Sequence, residues 1–553
     1  MSTTEPVRLI PLGGLGEFGL NTLVVEHAGA SVVIDCGVMF PEPAQLGVER
    51  VLPDLGYLTG RPEAVQGIVL THGHEDHIGA VPYLLPDVPA PVFGSRLTLG
   101  LLRERLREHG IARDADLREA RPGDRLRLGP FEIEFLAVTH SIPDALALAI
   151  GTPRGTIVHT ADFKMDQTPV DSRPLDLQRF SHHGDAGVLA LLSDSTNAEQ
   201  PGHTGSERSV LGDLEVLIRG VPGRVVLSTF ATNIHRLQQV VDLAVEHSRY
   251  ICFVGRSMAQ NTRIAEELGL LRVPPGKVVE PREVPGLPPN RVLILAAGSQ
   301  GEPNSALARI ALADHRDIRL EPGDLVILSA RTIPGNERAV TRMVNHLARR
   351  GARVAQHPDP RCHVSGHASA EELKMMIALT RPRFFIPVHG EYRQLAAHAR
   401  LAREMQIPGE RILLAEDGDI VEIREDAARI SGRVPVGTVL IDAASGELEQ
   451  EVLRDRRRLS GDGLLIPVIV VDRASGSMAA EPEVVSRGFV WDGPEEDLQS
   501  RVVDVIREAI EGASAEERGD WGALQTRVRD ELRRFLRKST RRRPMIIPIV
   551  IQV

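Results

Sequence analysis

Cysteine is scarce in this chain. Only Cys36, Cys252 and Cys362 occur, an odd number with no Cys-x-x-Cys spacing. That excludes a disulfide framework and points to a reducing cytoplasm as the natural setting. Each thiol reads as a buried, inert packing group. The alternative is metal ligation, since Cys36 adjoins Asp35 and Cys362 lies near His367. Long apolar runs are missing too. None reaches the roughly 18 residues that a membrane-crossing helix needs, so no membrane partner is expected. The opening Met1-Ser2-Thr3-Thr4-Glu5-Pro6 has neither a basic stretch nor an apolar core, so no secretory signal is expected. There is no internal repeat and no low-complexity tract. An excess of positive charge is also absent: 65 Lys and Arg stand against 75 Asp and Glu, a formal net charge of −10. Surfaces that bind nucleic acid are usually basic, so this balance argues against a simple binder. It does not exclude an enzyme acting on nucleic acid. A narrow channel needs only a local positive lining, and bound metal ions add charge that no sequence count includes. Basic residues do cluster at Arg96 to Arg107, Arg331 to Arg350, Arg454 to Arg458 and Arg541 to Arg543, although the first two runs also fit solvated helix faces. Finally, no GxGxxG is present. Gly13-Gly14-Leu15-Gly16 is better read as a tight turn at an active site than as a dinucleotide loop.

What the chain does have is Thr71-His72-Gly73-His74-Glu75-Asp76-His77. Three imidazoles and a carboxylate in six residues suit a borderline divalent cation such as Zn²⁺, with Mn²⁺ as a competitor. The preceding run Gly67-Ile68-Val69-Leu70 is apolar and β-branched and reads as a buried strand. The ligands therefore belong on a loop at a sheet edge. His72 and His74 alternate on an extended segment and can hold one ion; Asp76 and His77 lie further round the loop and can hold a second. Neither set is complete. Asp35, His140, Asp162 and His389 each follow an apolar, strand-like run, as a site collected at one edge of a sandwich requires.

The full order, Asp35, then His72-x-His74-x-Asp76-His77, His140 and Asp162, resembles the motif series of the metallo-β-lactamase superfamily. His389 follows Asp162 only after more than 200 residues. Such an insertion before the last His resembles the β-CASP branch, whose members are nucleases. Asp194 in Leu192-Ser193-Asp194-Ser195-Thr196-Asn197, His367 in Ser365-Gly366-His367-Ala368-Ser369 and His389 in Pro387-Val388-His389-Gly390-Glu391 match its three further motifs. The third is His here, where DNA-directed members carry Val, which favours RNA. Within that branch the chain resembles the bacterial ribonuclease J family. The resemblance is carried by Pro11 to Gly19, the array, Ser193 to Asn197, Phe230 to Arg236, Ser329 to Glu337 and Ser365 to Ser369.

The resemblance implies an αββα metallo-β-lactamase sandwich with an inserted α/β β-CASP domain and a small α+β C-terminal domain. The expected boundaries are 1–200 and 359–427 for the sandwich, 201–358 for the insertion, 428–447 for a linker and 448–553 for the last domain. Short apolar strands alternating with helical stretches independently predict an α/β sheet in the insertion. The implied activity is 5′→3′ exonuclease and endonuclease hydrolysis of single-stranded RNA by a two-metal mechanism, with a preference for 5′-monophosphate ends. Roles in mRNA decay and rRNA maturation are implied, in the cytoplasm, in a homodimer or homotetramer built through the C-terminal domain, with other RNA-decay proteins as further partners. A metal-dependent hydrolase on DNA or a small molecule, and a non-catalytic scaffold, are the competing classes. The insertion and the full ligand set argue against them.

Individual roles follow from the resemblance and from side-chain chemistry. His72, His74 and His140 are assigned to one ion, Asp76, His77 and His389 to the other, and Asp162 bridges. Zn²⁺ is expected, with Mn²⁺ or Mg²⁺ as activating ions. Asp76 also counts among the catalytic groups. Asp35 is expected to orient the array rather than ligate, the alternative being a plain turn residue. His367 is assigned as proton donor to the leaving 3′-oxygen, oriented by Asp194, the alternative being a structural His. Ser365, Gly366, His367, Ala368 and Ser369 form a small-residue loop whose N–H groups and hydroxyls can surround a phosphate. Thr232, Asn233, His235 and Arg236 sit at a strand-to-helix junction suited to phosphate, and Phe230 either stacks on a base or fills the core. Arg331 and Asn336 are weaker candidates for RNA contact.

Overall fold

The computed structural model describes residues 5–42, 45–333, 335–358, 362–442, 446–472, 477–489, 495–514, 517–518 and 520–553. Met1 to Thr4, Pro334 of the Ser329 to Glu337 segment, and the expected boundary at residue 359 lie outside them. The chain forms two compact units, Met1–Phe40 with Val51–Val439, and Pro41–Arg50 with Leu440–Val553. Among the described residues, no helix is long and apolar enough to cross a membrane.

The larger unit is built on two facing sheets. The eight-stranded sheet runs in the order Ala428–Arg433, Asp419–Ile423, Val7–Gly13, Thr22–His27, Ala30–Ile34, Val65–Val69, Val92–Gly94 and Leu117–Glu119. The six-stranded sheet runs Phe384–Val388, Val188–Asp194, Gly155–His159, Leu146–Thr152, Phe131–Ala137 and Arg125–Leu128. Strand periodicity explains how the layers form. Leu146, Leu148 and Ile150 point into the core between the sheets with Val7, Leu9, Val25 and Ile34. The intervening Ala147 and Ala149 point the other way, into a second core with Leu373, Met376 and Ile377 of the helix Ala370–Thr380 and with Ala399 of the helix Tyr392–Glu404. Small residues on that face let the helices lie close. Ala428–Arg433, expected within a linker, is the edge strand of the eight-stranded sheet.

The insertion carries its own five-stranded sheet in the order Tyr250–Val254, Val292–Ala296, Val225–Ser228, Leu325–Leu328 and Arg353–Gln356, with every pairing parallel. Its central strands are apolar without alternation, as a parallel sheet covered on both faces requires. The fold class expected from the sequence is therefore the one observed.

In the smaller unit the strand Leu464–Val471 pairs with Glu483–Arg487, Met545–Ile546 and Ile549–Gln552. Leu465, Ile469 and Val471 pack with Val502, Ile506, Leu532 and Leu536 of the helices Glu495–Glu511 and Trp521–Thr540.

Candidate metal centre

Strand register assembles the site. Ala30–Ile34 pairs in parallel with Val65–Val69, with Ile34 opposite Val69, so both chains leave the sheet side by side. Asp35, at a positive φ of 57°, turns its carboxylate onto the array. Thr71 donates its N–H to Oδ1 and its hydroxyl to Oδ2, each at 2.7 Å, and His77 Nδ1–H donates to Oδ2 at 2.8 Å. That bond orients the His77 ring so that Nε2 faces the other ligands, with Asn21 Nδ2 at 3.2 Å. A Cβ on Gly37 would lie 1.6 Å from the carbonyl oxygen of Asp76, so only glycine lets the two loops approach this closely.

Four further strand ends complete the ring. His140 follows Phe131–Ala137, Asp162 follows Gly155–His159, and His389 follows Phe384–Val388. Asp194 ends a strand whose register places it opposite Val388, which sets it beside His389. The Asp162 carboxylate is central. Its Oδ2 lies 3.6 Å from His72 Nε2, 3.4 Å from His77 Nε2, 3.7 Å from His140 Nε2 and 3.6 Å from His389 Nε2. Asp76 Oδ2 lies 3.6 Å from both His77 Nε2 and His389 Nε2. His74 Nδ1 is 3.0 Å from His72 Nε2 and 3.3 Å from His140 Nε2. Ligand atoms of His72, His74, His140 and Asp162 fall within 4.8 Å of one another, as do those of Asp76, His77 and His389, and those of Asp162, Asp194, His367 and His389.

These residues fit divalent cations. His389 Nε2 is buried and has no hydrogen-bond partner among the described residues, a cost that a cation would remove. Burial holds His72 and His140 well below the ordinary imidazole range and brings His74 down to about 4, so these three rings are neutral and able to ligate at neutral pH. Burial also opposes charge on His77 and His389, but Asp162 and its neighbouring carboxylates outweigh it and raise both, His389 to about 10. The site's carboxylates thus favour positive charge at that end. Burial alone would raise Asp162, yet His389, His77 and His72 together hold it well below the usual carboxylate range.

His367 lies over this ring. Its Nδ1–H donates to Asp194 Oδ2 at 2.8 Å, and its side chain is 20% exposed, so Nε2 can meet a ligand from solvent. Its neighbours in the loop behave differently from the expected phosphate cradle. The His367 N–H goes to Ser365 Oγ at 3.2 Å, that of Ala368 to the Phe163 carbonyl at 2.6 Å, and that of Ser369 to Glu372 Oε2 at 2.8 Å. Those three N–H groups already serve the fold. Gly366 is needed for contact: its carbonyl accepts from His140 Nδ1–H at 2.8 Å, and a Cβ there would sit 2.8 Å from the His140 ring. Ser365 is half-buried and its hydroxyl accepts from Asn197 Nδ2 at 2.8 Å, which leaves its own proton to donate.

The junction after Val225–Ser228 is also largely occupied. Asn233 caps the helix Ile234–Glu246, its Oδ1 accepting from Arg236 N at 3.0 Å. Arg236, expected to meet phosphate, is fully buried, ion-paired with Glu207 and donating to Ser329 Oγ and the Cys362 carbonyl. Its role here is structural, since a guanidinium so buried needs paired charge. His235 lies 4.0 Å from Asp171, and Phe230 and Thr232 are half-buried. Arg331 is exposed, and Asn336 precedes the helix Glu337–Arg349. Sequence reasoning missed Asn21, whose Nδ2 donates to the Asp76 carbonyl at 3.0 Å, and Thr196, which touches both Asp194 and His389. Both lie next to or within quoted segments; neither residue type announces such a contact.

One carboxyl beside the glycine-rich turn yields a pH prediction. Leu15 N–H donates to Asp417 Oδ1 at 3.0 Å, and burial followed by the facing Glu17 carboxyl raises Asp417 to about 7. The folded chain therefore holds this proton where the unfolded chain, titrating near about 3.9, has lost it. This contribution is fully present below the unfolded value and disappears as pH rises through about 7. Asp417→Asn keeps the acceptor for Leu15 and cannot ionise. It is expected to melt higher than the parent at pH 8, with the gap shrinking at pH 5; thermal melts at both pH values with equal gaps would contradict this.

Comparison with known proteins agrees with the geometry in chain order. The metallo-β-lactamase superfamily model matches residues 15–226, the ribonuclease J β-CASP domain 222–347, the Zn-dependent metallo-hydrolase RNA specificity domain 361–412, and the ribonuclease J C-terminal domain 451–553. Ribonuclease J of Mycobacterium tuberculosis is 44% identical, covering 100% of this chain and 98% of its own. Ribonuclease J2 of Bacillus subtilis is 41% identical over 100% of this chain and 99% of its own, and ribonuclease J of Thermus thermophilus 43% over 99% and 96%. A solved protein of unknown function from Enterococcus faecalis shares the fold at a TM-score of 0.55 and 16% identity, over 76% of this chain and 100% of that one. Identity of this extent, running from the strand-end ligands through the insertion to the last domain, shows that the chain belongs to the ribonuclease J family of the metallo-β-lactamase superfamily.

Proposed function

We propose that the protein is a metal-dependent ribonuclease that hydrolyses single-stranded RNA as a 5′→3′ exonuclease and, more slowly, as an endonuclease. The observation that carries the reading is the placement of the His367–Asp194 pair over a ring of five imidazoles, four of them buried, and two carboxylates. His72, His74 and His140 would hold one divalent ion, Asp76, His77 and His389 a second, and Asp162 would serve both. Imidazole and carboxylate donors favour Zn²⁺, with Mn²⁺ or Mg²⁺ as alternatives. When bound, such ions supply Lewis acidity toward a phosphodiester and make water more acidic.

The chain's own residues do the rest. Asp35, through Thr71 and His77, keeps the array in register. The Gly366 carbonyl fixes His140 with Nε2 facing inward. His367 Nε2 delivers a proton to the leaving 3′-oxygen while Asp194 retains Nδ1–H. The Ser365 hydroxyl, the Gly366 N–H and His367 would meet a terminal phosphate, with Ala368 and Ser369 shaping the wall. This small pocket has few cations and suits one phosphate. Phe230, Thr232 and Arg331 extend the RNA contacts away from the metals.

The decisive assay uses one RNA sequence carrying 5′-hydroxyl, 5′-monophosphate or 5′-triphosphate ends, with a DNA counterpart. The monophosphate RNA is expected to be degraded fastest, from its 5′ end. Equal rates on monophosphate and triphosphate ends would remove the pocket assignment, and cleavage of DNA alone would remove the substrate class.

We assign cytoplasmic mRNA decay and rRNA maturation as the roles, in a homodimer or homotetramer joined through the C-terminal α+β domain, to which other RNA-decay proteins would dock. Support for the oligomer comes from the sheet face opposite the helices. Ile549 pairs with Val468 and Ile551 with Val470, and Ile549 and Ile551 are 42% and 46% exposed. Exposed apolar residues grouped on one face mark an interface. Ile549→Glu combined with Ile551→Glu is expected to yield monomers in sedimentation, with the metal content of the parent. An unchanged oligomer would contradict the assignment.

A further inference from the structure

We propose that Thr196 is a positioning residue that ties the metal ligand His389 to the Asp194–His367 pair through a single hydroxyl. The inference rests on the preceding reading of His389 as a ligand and His367 as proton donor. Thr196 Oγ1 lies 2.8 Å from Asp194 Oδ1 and 2.8 Å from His389 Nδ1. A hydroxyl has one proton to give and two lone pairs with which to accept. The Asp194 carboxylate can only accept, so the Thr196 proton goes to Oδ1. The hydroxyl oxygen then accepts from His389, and Nδ1 is the protonated nitrogen of that ring. Nε2 is left facing the other ligands, buried, partnerless among the described residues, and 3.6 Å from the carboxylates of both Asp76 and Asp162. On its other side Asp194 takes the Nδ1–H of His367 through Oδ2 at 2.8 Å.

Thr196 is itself held at both ends. Its N–H donates to Asp194 Oδ1 at 2.9 Å, and its carbonyl accepts from Gln394 Nε2 at 2.7 Å. The adjacent Ser195 N–H bonds the His389 carbonyl at 3.2 Å, which locks the two strand ends together. The hydroxyl thus cannot drift from its two partners without moving the backbone. Without it, the nearest acceptor for His389 Nδ1–H is Asp194 Oδ1, 3.3 Å away. Ring and carboxylate would close on each other. His389 would then turn from the metal position, and Asp194 would turn from His367. One substitution should therefore disturb metal retention and proton delivery together.

The test compares Thr196→Val, which keeps the shape and loses the hydroxyl, with Thr196→Ser, which keeps the hydroxyl. Three quantities are read on the full chain: zinc per chain after dialysis, folding by thermal melt, and kcat and KM on 5′-monophosphate RNA. Thr196→Val is expected to weaken zinc retention by about 10–100-fold, as loss of a ligating imidazole's partner does. Its kcat should fall while KM stays near the parent value, and Thr196→Ser should restore both zinc and kcat. Thr196→Ala replaces Thr196→Val if the valine variant does not fold, with the same expectation. A hydroxyl-free variant with parental zinc and kcat would overturn the proposal. So would a serine variant as impaired as the valine one, which would mark a packing role. A parent protein that holds no zinc, or leaves RNA intact, would instead remove the reading beneath it.

Discussion

Asp162→Ala is expected to abolish RNA hydrolysis and to empty both metal positions at once. No other carboxylate oxygen in the site approaches four imidazole nitrogens, at 3.4 to 3.7 Å. Removing an ordinary ligand should weaken one ion. Removing this one takes the shared negative charge from both sets and leaves His77 and His389 with Asp76 as the remaining carboxylate at their Nε2 atoms. Two cations held close together need an intervening carboxylate to offset their repulsion, which in dinuclear sites spans about 3.5–4 Å. Zinc should fall from about two ions per chain toward none, rather than toward one. Elemental analysis giving one ion per chain in both the parent and Asp162→Ala would refute the dinuclear assignment. The fold should survive, because Asp162 stands beyond the end of the strand Gly155–His159 and is not part of its pairing.

His367→Ala is expected to separate chemistry from metal binding. Its Nδ1 is committed to Asp194, and the metal clusters His72–His74–His140–Asp162 and Asp76–His77–His389 are complete without it. Loss of a general acid in this position should slow the chemical step on the order of 10²–10⁴-fold. Zinc content should remain that of the parent. Affinity for 5′-monophosphate RNA should fall less than the rate, because Ser365 keeps its hydroxyl. Parallel loss of metal would move His367 into the ligand set, where its nearness to Asp162, Asp194 and His389 would have placed it.

The parts of this site that can be read from sequence are those whose partners are local or whose position follows from a strand end. The array needs only six consecutive residues, and an apolar strand before it puts those residues on a loop. Asp35, His140, Asp162 and His389 could be proposed because each follows an apolar run, and a sandwich gathers such ends along one edge. Where the partner is distant, the sequence is silent. The loop Ser365 to Ser369 looks like an open phosphate cradle, but the N–H groups of His367, Ala368 and Ser369 are taken by its own Ser365, Phe163 and Glu372. Arg236 reads as a cation awaiting an anion, and the anion is Glu207 within the chain, 29 residues away. Thr196 is a common residue in a quoted segment, and its contact with His389 spans 193 residues. The stretch before the C-terminal domain reads as a linker with some strand, and what composition does not encode is that Ala428–Arg433 pairs with the sheet edge at Asp419–Ile423.

The central claim is that this ring of imidazoles and carboxylates is a metal-dependent active site for RNA. The most direct measurement is degradation of 5′-labelled monophosphate RNA by the full-length protein after exhaustive chelation, with metal content verified, and again after addition of Zn²⁺ or Mn²⁺. The account predicts intact RNA from the stripped protein and restored 5′-end degradation on metal addition. Undiminished cleavage by verified metal-free protein, or no cleavage by protein loaded with either metal, would contradict it.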